Sequence, residues 1–457
     1  MSDSEWTRRE FVRLGAAGLV AGRIPWPHYE LARPKPSPAQ LAWQREELAL
    51  FLHFGVNTFT DREWGDGKES PSIFAPTQLD ARQWARAAVA SGFRMMILTA
   101  KHHDGFCLWP TKTTTHSVAA SPFRGGNGDV VREMIDACRQ HNLRVGLYCS
   151  PWDRNSPVYG DSSRYNDLFC DQLTELLTRY GRIDEVWFDG ANGEGPNGKK
   201  QVYDWPRFFT HVKRLAPDAV IFSDAGPDIR WIGNERGAAG TTNWSMMDPN
   251  AVPYPGADGP GIIAALQNGD PNGTVWRPGE TDVSIRPGWF YHPAEDERVK
   301  TAEQLQELYY SSVGRNSKLL LNVPPTRAGL LHDVDVRRLG ELHARIRSQF
   351  AVEDVTRGRE VRWRNVAAGK AVGEIDLGRD VTVALVDLRE DIARGQVVAK
   401  YDLAGRAGSE WRPLSSGTTI GHRKLDRFGR TTVNALRLTV ETVAPLARPV
   451  QLKSFRA

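Results

Sequence analysis

RMMILTAKHHDG, residues 94–105, is the stretch on which the fold turns. Met95 to Ala100 is a nearly unbroken apolar run with no polar alternation, the mark of a strand covered on both faces, as in a parallel sheet. The polar residues Lys101, His102, His103 and Asp104 follow and close on Gly105, which reads as the loop leaving that strand. Upstream, LALFLHFGV (48–56) is a second such strand. DARQWARAAVASG (80–92) lies between them and reads as a helix, with Asp80 near its start and Gly92 past its end. Downstream the order repeats. Helix DVVREMIDACRQHN (129–142) precedes strand RVGLYCS (144–150), and helix SSRYNDLFCDQLTELLTRYG (162–181) precedes strand IDEVWFDG (183–190). Helix DWPRFFTHVKRLAP (204–217) leads to strands AVIFSD (219–224) and IRWIG (229–233).

SIRPGWFYH (284–292) reads as the next strand, followed by a helix over 303–316, the strand KLLLNVPP (318–325) and a helix over 333–350. Strands spaced by single helices over about 300 residues predict a closed (β/α), TIM-like barrel. Between 248 and 279 the chain carries six Pro and six Gly, a candidate binding loop. Past residue 355 the texture becomes short, alternating and turn-punctuated, as in AVGEIDLG and DVTVALVDL, which predicts a small C-terminal antiparallel β-sandwich. The expected domains are residues 39–352 for the barrel and 353–457 for the sandwich.

Residues 1–38 read as an address. TRREFVRL (7–14) carries the pair Arg8-Arg9 with Phe11, and small apolar residues follow from Gly15 to Gly22. That is the layout of a twin-arginine export signal. Pro25, Pro27, Pro34, Pro36 and Pro38 then form an extended tether. The expected destination is the periplasm or the exterior. No run of 18 apolar residues exists, so no membrane span is predicted. The charge balance is 59 − 55 = +4, too small a surplus to support a grip on nucleic acid. Neither GxGxxG nor GxxxxGK[ST] follows any strand, which argues against dinucleotide or P-loop chemistry. Cys107, Cys138, Cys149 and Cys170 include no CxxC pair and are read as free thiols.

In such a barrel the C-terminal strand ends carry the chemistry. Those ends offer His53, the pair His102-His103, Tyr148 with Trp152 beyond it, Asp189, Asp224, Glu235 and the segment Arg286–His292. Asp189 follows an apolar run directly and is turned by Gly190, so it stands at the barrel mouth as a nucleophile or a general base. Two carboxylates in a His-rich, Trp-rich mouth are the equipment of glycoside hydrolysis: one attacks or activates water, and the other protonates the leaving oxygen. A metal site is not favoured. No HxH pair occurs at a strand end, and adjacent histidines on an extended chain face opposite ways. No cofactor is expected. The rival readings are a retaining glycosidase for another sugar, a non-catalytic carbohydrate-binding protein, and a metal-dependent hydrolase.

HFG (53–55), TDREWG (60–65), KHHDGF (101–106), GLYCSPWD (146–153), EVWFDGANG (185–193) and SIRPGWFYH (284–292) together resemble the α-L-fucosidases of glycoside hydrolase family 29. The resemblance runs in order from about residue 40 to 350, and that family's appended C-terminal β-sandwich fits the remainder. It implies a retaining exo-glycosidase that removes terminal α-L-fucose from a fucosylated oligosaccharide by double displacement, with Asp189 as the nucleophile. It also implies that His53, Glu63, Trp64, His102, His103, Tyr148 and Trp289 line the fucose pocket. For the acid and base it points to Glu235, because WIGNERG (231–237) matches the WxGNE pattern of the subfamily preferring α-1,3/1,4-linked fucose. Glu280 in GETDVS is the rival, expected near the N-terminal end of its strand and away from the mouth. Glu63 and Glu194 are weaker candidates.

Overall fold

The described residues of the computed structural model are 33–457. The basic leader and the first part of the proline tether lie outside them. Pro38 is not tether but the first residue of helix α1 (Pro38–Glu46), whose Ser37 and Gln40 cap each other reciprocally.

Strand β1 (Leu48–Leu52) is buried throughout, as its unbroken apolar sequence demands. The chain continues through α2 (Val56–Thr60), α3 (Ala81–Ala90) and β2 (Met95–Lys101), then α4 (Val130–Gln140) and β3 (Arg144–Cys149). Next come α5 (Ser162–Thr178), β4 (Glu185–Trp187), α6 (Trp205–Leu215), β5 (Val220–Ser223) and β6 (Ile229–Trp231). Asp80, Asp129 and Asp204 each accept a backbone N–H at the start of α3, α4 and α6, contacts that contribute about 1 kcal/mol apiece. The strands β9 (Gly279–Ser284) and β10 (Ser317–Asn322) complete the ring, reached through β7 (Met246–Met247), α7 (Pro260–Asn268) and β8 (Val275–Trp276). α8 (Ala302–Ser311) precedes β10, and α9 (Asp333–Ala351) follows it. All pairings in the ring are parallel and close it in the order β1-β10-β9-β6-β5-β4-β3-β2.

SIRPGWFYH is not a strand: β9 is the preceding GETDVS, and only Ser284 belongs to both, so the aromatic segment is the loop leaving the barrel mouth. The strands AVIFSD and IRWIG follow one another directly as β5 and β6. Five residues suffice, because β6 starts beside the upper end of β5, with Phe222 opposite Ile229. The Gly/Pro-rich stretch is not all loop, since it holds α7 and β8.

Inside the ring, Phe51, Tyr148, Trp187 and Phe222 form an aromatic layer. Trp187 stacks on Phe222 at 4.0 Å and on Tyr148 at 5.2 Å. Below that layer lies a polar one. Trp43 of α1 donates to Glu185 at 2.7 Å, Trp187 donates to Glu280 at 3.1 Å, and Lys318 stands 3.0 Å from Glu46. Burial, followed by the charge of Glu185, pushes the Glu280 carboxyl well above its ordinary range.

The last barrel helix ends at Ala351, and the C-terminal strands begin at Arg362. They are β11 (Arg362–Ala367), β12 (Lys370–Arg389), β13 (Val398–Ala407), β14 (Glu410–Gly417), β15 (Lys424–Thr442) and β16 (Gln451–Arg456). All six belong to one antiparallel sheet, bent by register breaks in the two longest strands. It encloses its own core of Ile375, Leu377, Val386, Leu403, Leu436 and Leu438. At the seam with the barrel, Glu47 meets Arg423 at 2.7 Å, His422 at 3.1 Å and Arg389 at 3.3 Å. All four cysteines are free and buried. Among the described residues no helix is long and apolar enough to cross a membrane.

Candidate active site

The aromatic layer is the floor of a cavity of about 440 Å³ at the C-terminal ends of the strands. His53, Glu63, Trp64, His102, His103, Tyr148, Asp189, Glu235 and Trp289 all line it. The residues read from sequence as site residues are therefore brought together. Glu280 is not among them; it sits beneath Trp187, in the polar layer. Glu194 is exposed on the loop beyond Asp189 and lines no part of the cavity.

His102 and His103 do not face opposite ways. The strand ends at Lys101 and the backbone turns at once, so both imidazoles reach the cavity with ring centroids 4.1 Å apart. Their sequence neighbours turn elsewhere. Lys101 pairs with Asp153 at 3.2 Å inside the wall, and Asp104 accepts from Phe106 N and Asn57 Nδ2.

Asp189 follows β4 and is held by two hydrogen bonds, with an imidazole close by. Its Oδ1 accepts the Ala191 N–H at 2.7 Å, its Oδ2 accepts the Tyr148 hydroxyl at 3.1 Å, and His103 Nε2 stands 3.8 Å from that same oxygen. The hydroxyl of Ser150 donates to Trp152 O, so its lone pair meets His103 Nδ1 at 2.7 Å. That assigns the proton to Nδ1 and leaves Nε2 toward Asp189. His53 is fixed in the same manner. Asn322 Oδ1 already accepts the His53 backbone N–H and stands 2.8 Å from Nδ1, which leaves Nε2 as an acceptor. Burial keeps all three imidazoles neutral: His53 is lowered to about 3, and His102 lies well below its usual range. For His103 the charge of Asp189 offsets part of the same effect.

Glu235 comes from the loop after β6 and is exposed at the rim. Desolvation by the surrounding walls raises its pKa. The Trp289 indole N–H, which donates to it at 3.3 Å, works against this, while the charges of Asp189 and Glu63 add to it. Glu63 is a brace as much as a wall. Its carboxylate accepts the backbone N–H groups of Trp289 and Phe290 and pairs with His292 at 2.6 Å, which clamps the loop bearing Trp289.

Sequence reasoning missed Asp282. It is 3% exposed in β9, accepts the Trp231 indole N–H at 2.8 Å, and shares the cavity wall with Asp189 and Glu235. Burial, and then the charge of Glu235, raise its carboxyl well above the ordinary range. Its signal was the spacing of Glu280, Asp282 and Ser284 at every second residue, the pattern of polar side chains aimed into a barrel. Past Asp189, Glu235 and Asp282 the cleft opens into a second chamber of about 330 Å³ walled by Asp224, Trp231, Asn192 and Gly256. Asp224 accepts the Gly256 N–H at 2.7 Å, and burial followed by the charge of Asp189 raises it to about 7. Two buried acids of raised proton affinity beside one exposed rim acid and one carboxyl hydrogen-bonded on both oxygens suit general acid and nucleophilic chemistry at a single carbon.

The family model for α-L-fucosidase matches residues 43–345. Alpha-L-fucosidase 1 of Arabidopsis thaliana is 44% identical over 429 residues, covering 88% of this chain and 83% of its own length. A glycoside hydrolase 29 family member from an unknown rumen bacterium superposes with a TM-score of 0.84 at 40% identity, covering 93% of this chain and 78% of that one. A family 29 fucosidase from Ruminococcus gnavus, solved with fucose, gives 0.83 at 30% identity over 93% and 95% of the two chains. With this barrel, this mouth and these matches, the chain belongs to the α-L-fucosidases of glycoside hydrolase family 29, which are retaining glycosidases.

Proposed function

We propose that this fucosidase is exo-acting, with Asp189 as its nucleophile and Glu235 as its acid and base. One observation carries the reading. The two carboxyls line the same cavity in opposed settings: Asp189 is hydrogen-bonded on both oxygens, whereas Glu235 has its proton affinity raised. In the first step Asp189 attacks the anomeric carbon, the glycosidic C–O bond breaks, and Glu235 gives its proton to the departing oxygen. In the second, the Glu235 carboxylate takes a proton from water attacking the same carbon. The ester to Asp189 breaks, and fucose leaves with its original configuration. His53, His102, His103 and Tyr148 supply polar contacts to the sugar hydroxyls. Trp64 and Trp289 cover its apolar face, and Glu63 holds Trp289 in place.

A preference for α-1,3/1,4-linked fucose is part of the proposal. WIGNERG supports it, as does the second chamber, which offers room for a branched leaving group. Incubation with a Lewis-type trisaccharide and with a 2′-fucosylated one tests the preference. Fucose should be released faster from the first, and equal or reversed rates would refute it. Export by the twin-arginine route is likewise proposed, from Arg8-Arg9 and Phe11. Replacing both arginines by lysine should strand the enzyme in the cytoplasm, and undisturbed export would rule the route out.

A further inference from the structure

A wide groove lies away from the active site, where α8 and the segment after β6 meet β13, β14 and β15. It encloses about 720 Å³ and shares no lining residue with the site cavity. Hydroxyls from Thr242, Ser311, Ser416 and Thr418 line it, with the rings of Tyr310 and Phe428.

Five charged side chains face this groove, and they are unequally matched. Arg427 is spent: it makes a bidentate pair with Glu307 at 2.7 and 2.7 Å and lies over the Tyr310 ring at 4.0 Å. Asp426 accepts the Tyr401 hydroxyl at 2.9 Å. Arg315 and Lys424 remain. They are cross-strand partners in an isolated antiparallel bridge between barrel and sheet, so their side chains start from neighbouring backbone. Arg315 donates to Ala239 O at 2.9 Å and Lys424 donates to Thr241 O at 3.2 Å, both backbone carbonyls. Among the described residues neither has a carboxylate within 4.0 Å. Lys424 is only 8% exposed. Burial lowers its pKa; Asp426 opposes this from a distance and Arg315 adds to it. Two adjacent cations, one of them buried and neither neutralised, are costly in a protein wall. A bound oxyanion would relieve that cost through charge-assisted hydrogen bonds.

We propose that this groove is a second, non-catalytic carbohydrate site for a sugar bearing one negative group, either a carboxylate or a sulfate ester. Lys424 and Arg315 take the anion, the Thr and Ser hydroxyls take ring hydroxyls, and Phe428 packs on the apolar face of the ring. The proposal does not depend on which residues perform hydrolysis.

Equilibrium binding to the full chain tests it, by ligand-observed NMR with galactose 6-sulfate, glucuronic acid, galactose and inorganic sulfate as probes. Either acidic sugar, or both, should bind, which also tells the sulfate ester from the carboxylate; galactose should not bind. K424Q should weaken binding about tenfold, the scale of one charge-assisted hydrogen bond, and K424R should restore it. Hydrolysis of an aryl fucoside should stay unchanged in both variants. S416W, a bulky substitution at an exposed residue that lines the groove, should abolish binding and covers the case in which K424Q folds poorly. The proposal falls if galactose binds as well as the acidic sugars, if inorganic sulfate binds as tightly as the sulfated sugar, if no probe binds, or if S416W leaves binding intact.

Discussion

Carboxyls at two places in this molecule meet opposite treatment. At the barrel–sheet seam, burial pushes Glu47 up, but the His422 hydrogen bond and the charges of Arg423, His422 and Arg389 more than reverse it and hold the carboxyl at about 2. At the mouth, Asp224, Glu235 and Asp282 are held by a backbone N–H and two indoles rather than by cations, and all three are raised. Loss of water therefore ends in a lowered carboxyl in one place and in raised ones in the other. The neighbours decide. At the seam the charge is a fastener. At the mouth the acids with raised proton affinity stand around the hydrogen-bonded Asp189, an arrangement that suits a proton to be handed over.

The contrast can be broken most severely at Asp189. D189A should lose at least about 10⁴-fold in kcat, the scale of removing a nucleophile. Azide should restore turnover and give the inverted fucosyl azide; near-normal hydrolysis without azide would remove Asp189 from the role. E235A should cost about 10²–10⁴-fold on an oligosaccharide but far less on an aryl fucoside with a good leaving group, because only the former needs the proton. In the parent enzyme the alkaline limb of kcat/KM should lie above the ordinary glutamate range, since the raised acid keeps its proton longer.

Stability measurements sharpen the same comparison. The folded pKa of Glu47 lies below its unfolded value, so its contribution is complete above the ordinary carboxylate range and is lost as pH falls through about 2. E47Q should therefore cost about 3 kcal/mol near neutrality, with a gap to the parent that closes on acidification in denaturant titrations. D282N should do the reverse, and weakly. Asp282 is raised, so its burial costs stability once an unfolded aspartate would ionise, and removing the titratable group should leave stability at pH 7 equal or higher by about 1 kcal/mol. A large loss there would mean that Asp282 is ionised in the fold.

Much of this was legible because most barrel strands, such as LALFL and MMILTA, are continuous apolar runs, and because Asp189 follows one of them directly. β9 was hidden by its own polar residues. Glu280, Thr281 and Asp282 face buried surroundings yet make the segment look like loop, while the aromatics of SIRPGWFYH, which line or brace the mouth, imitate a strand. The direct succession of β5 and β6 was readable, because the five residues Asp224 to Asp228 are too few to hold a helix. The turn that gathers His102 and His103 depends on where β2 stops, which periodicity does not report. Glu47 carries no local pattern at all; its partners Arg389, His422 and Arg423 lie more than three hundred residues away in sequence, and Tyr309 more than two hundred.

The approach of the Gly/Pro-rich excursion to the loop of Asp189 has a practical side. Gly256 has φ +86°, and a Cβ there would lie 2.2 Å from Gly190 O; a Cβ on Gly190 would lie 2.3 Å from Asp224 Oδ2. Main chain rests on main chain one residue away from Asp189. Loop grafts intended to retune linkage choice are therefore not modular in this scaffold. A donor segment lacking glycine at that point would shift Asp189, the carboxylate proposed as nucleophile, along with the selectivity it was meant to import.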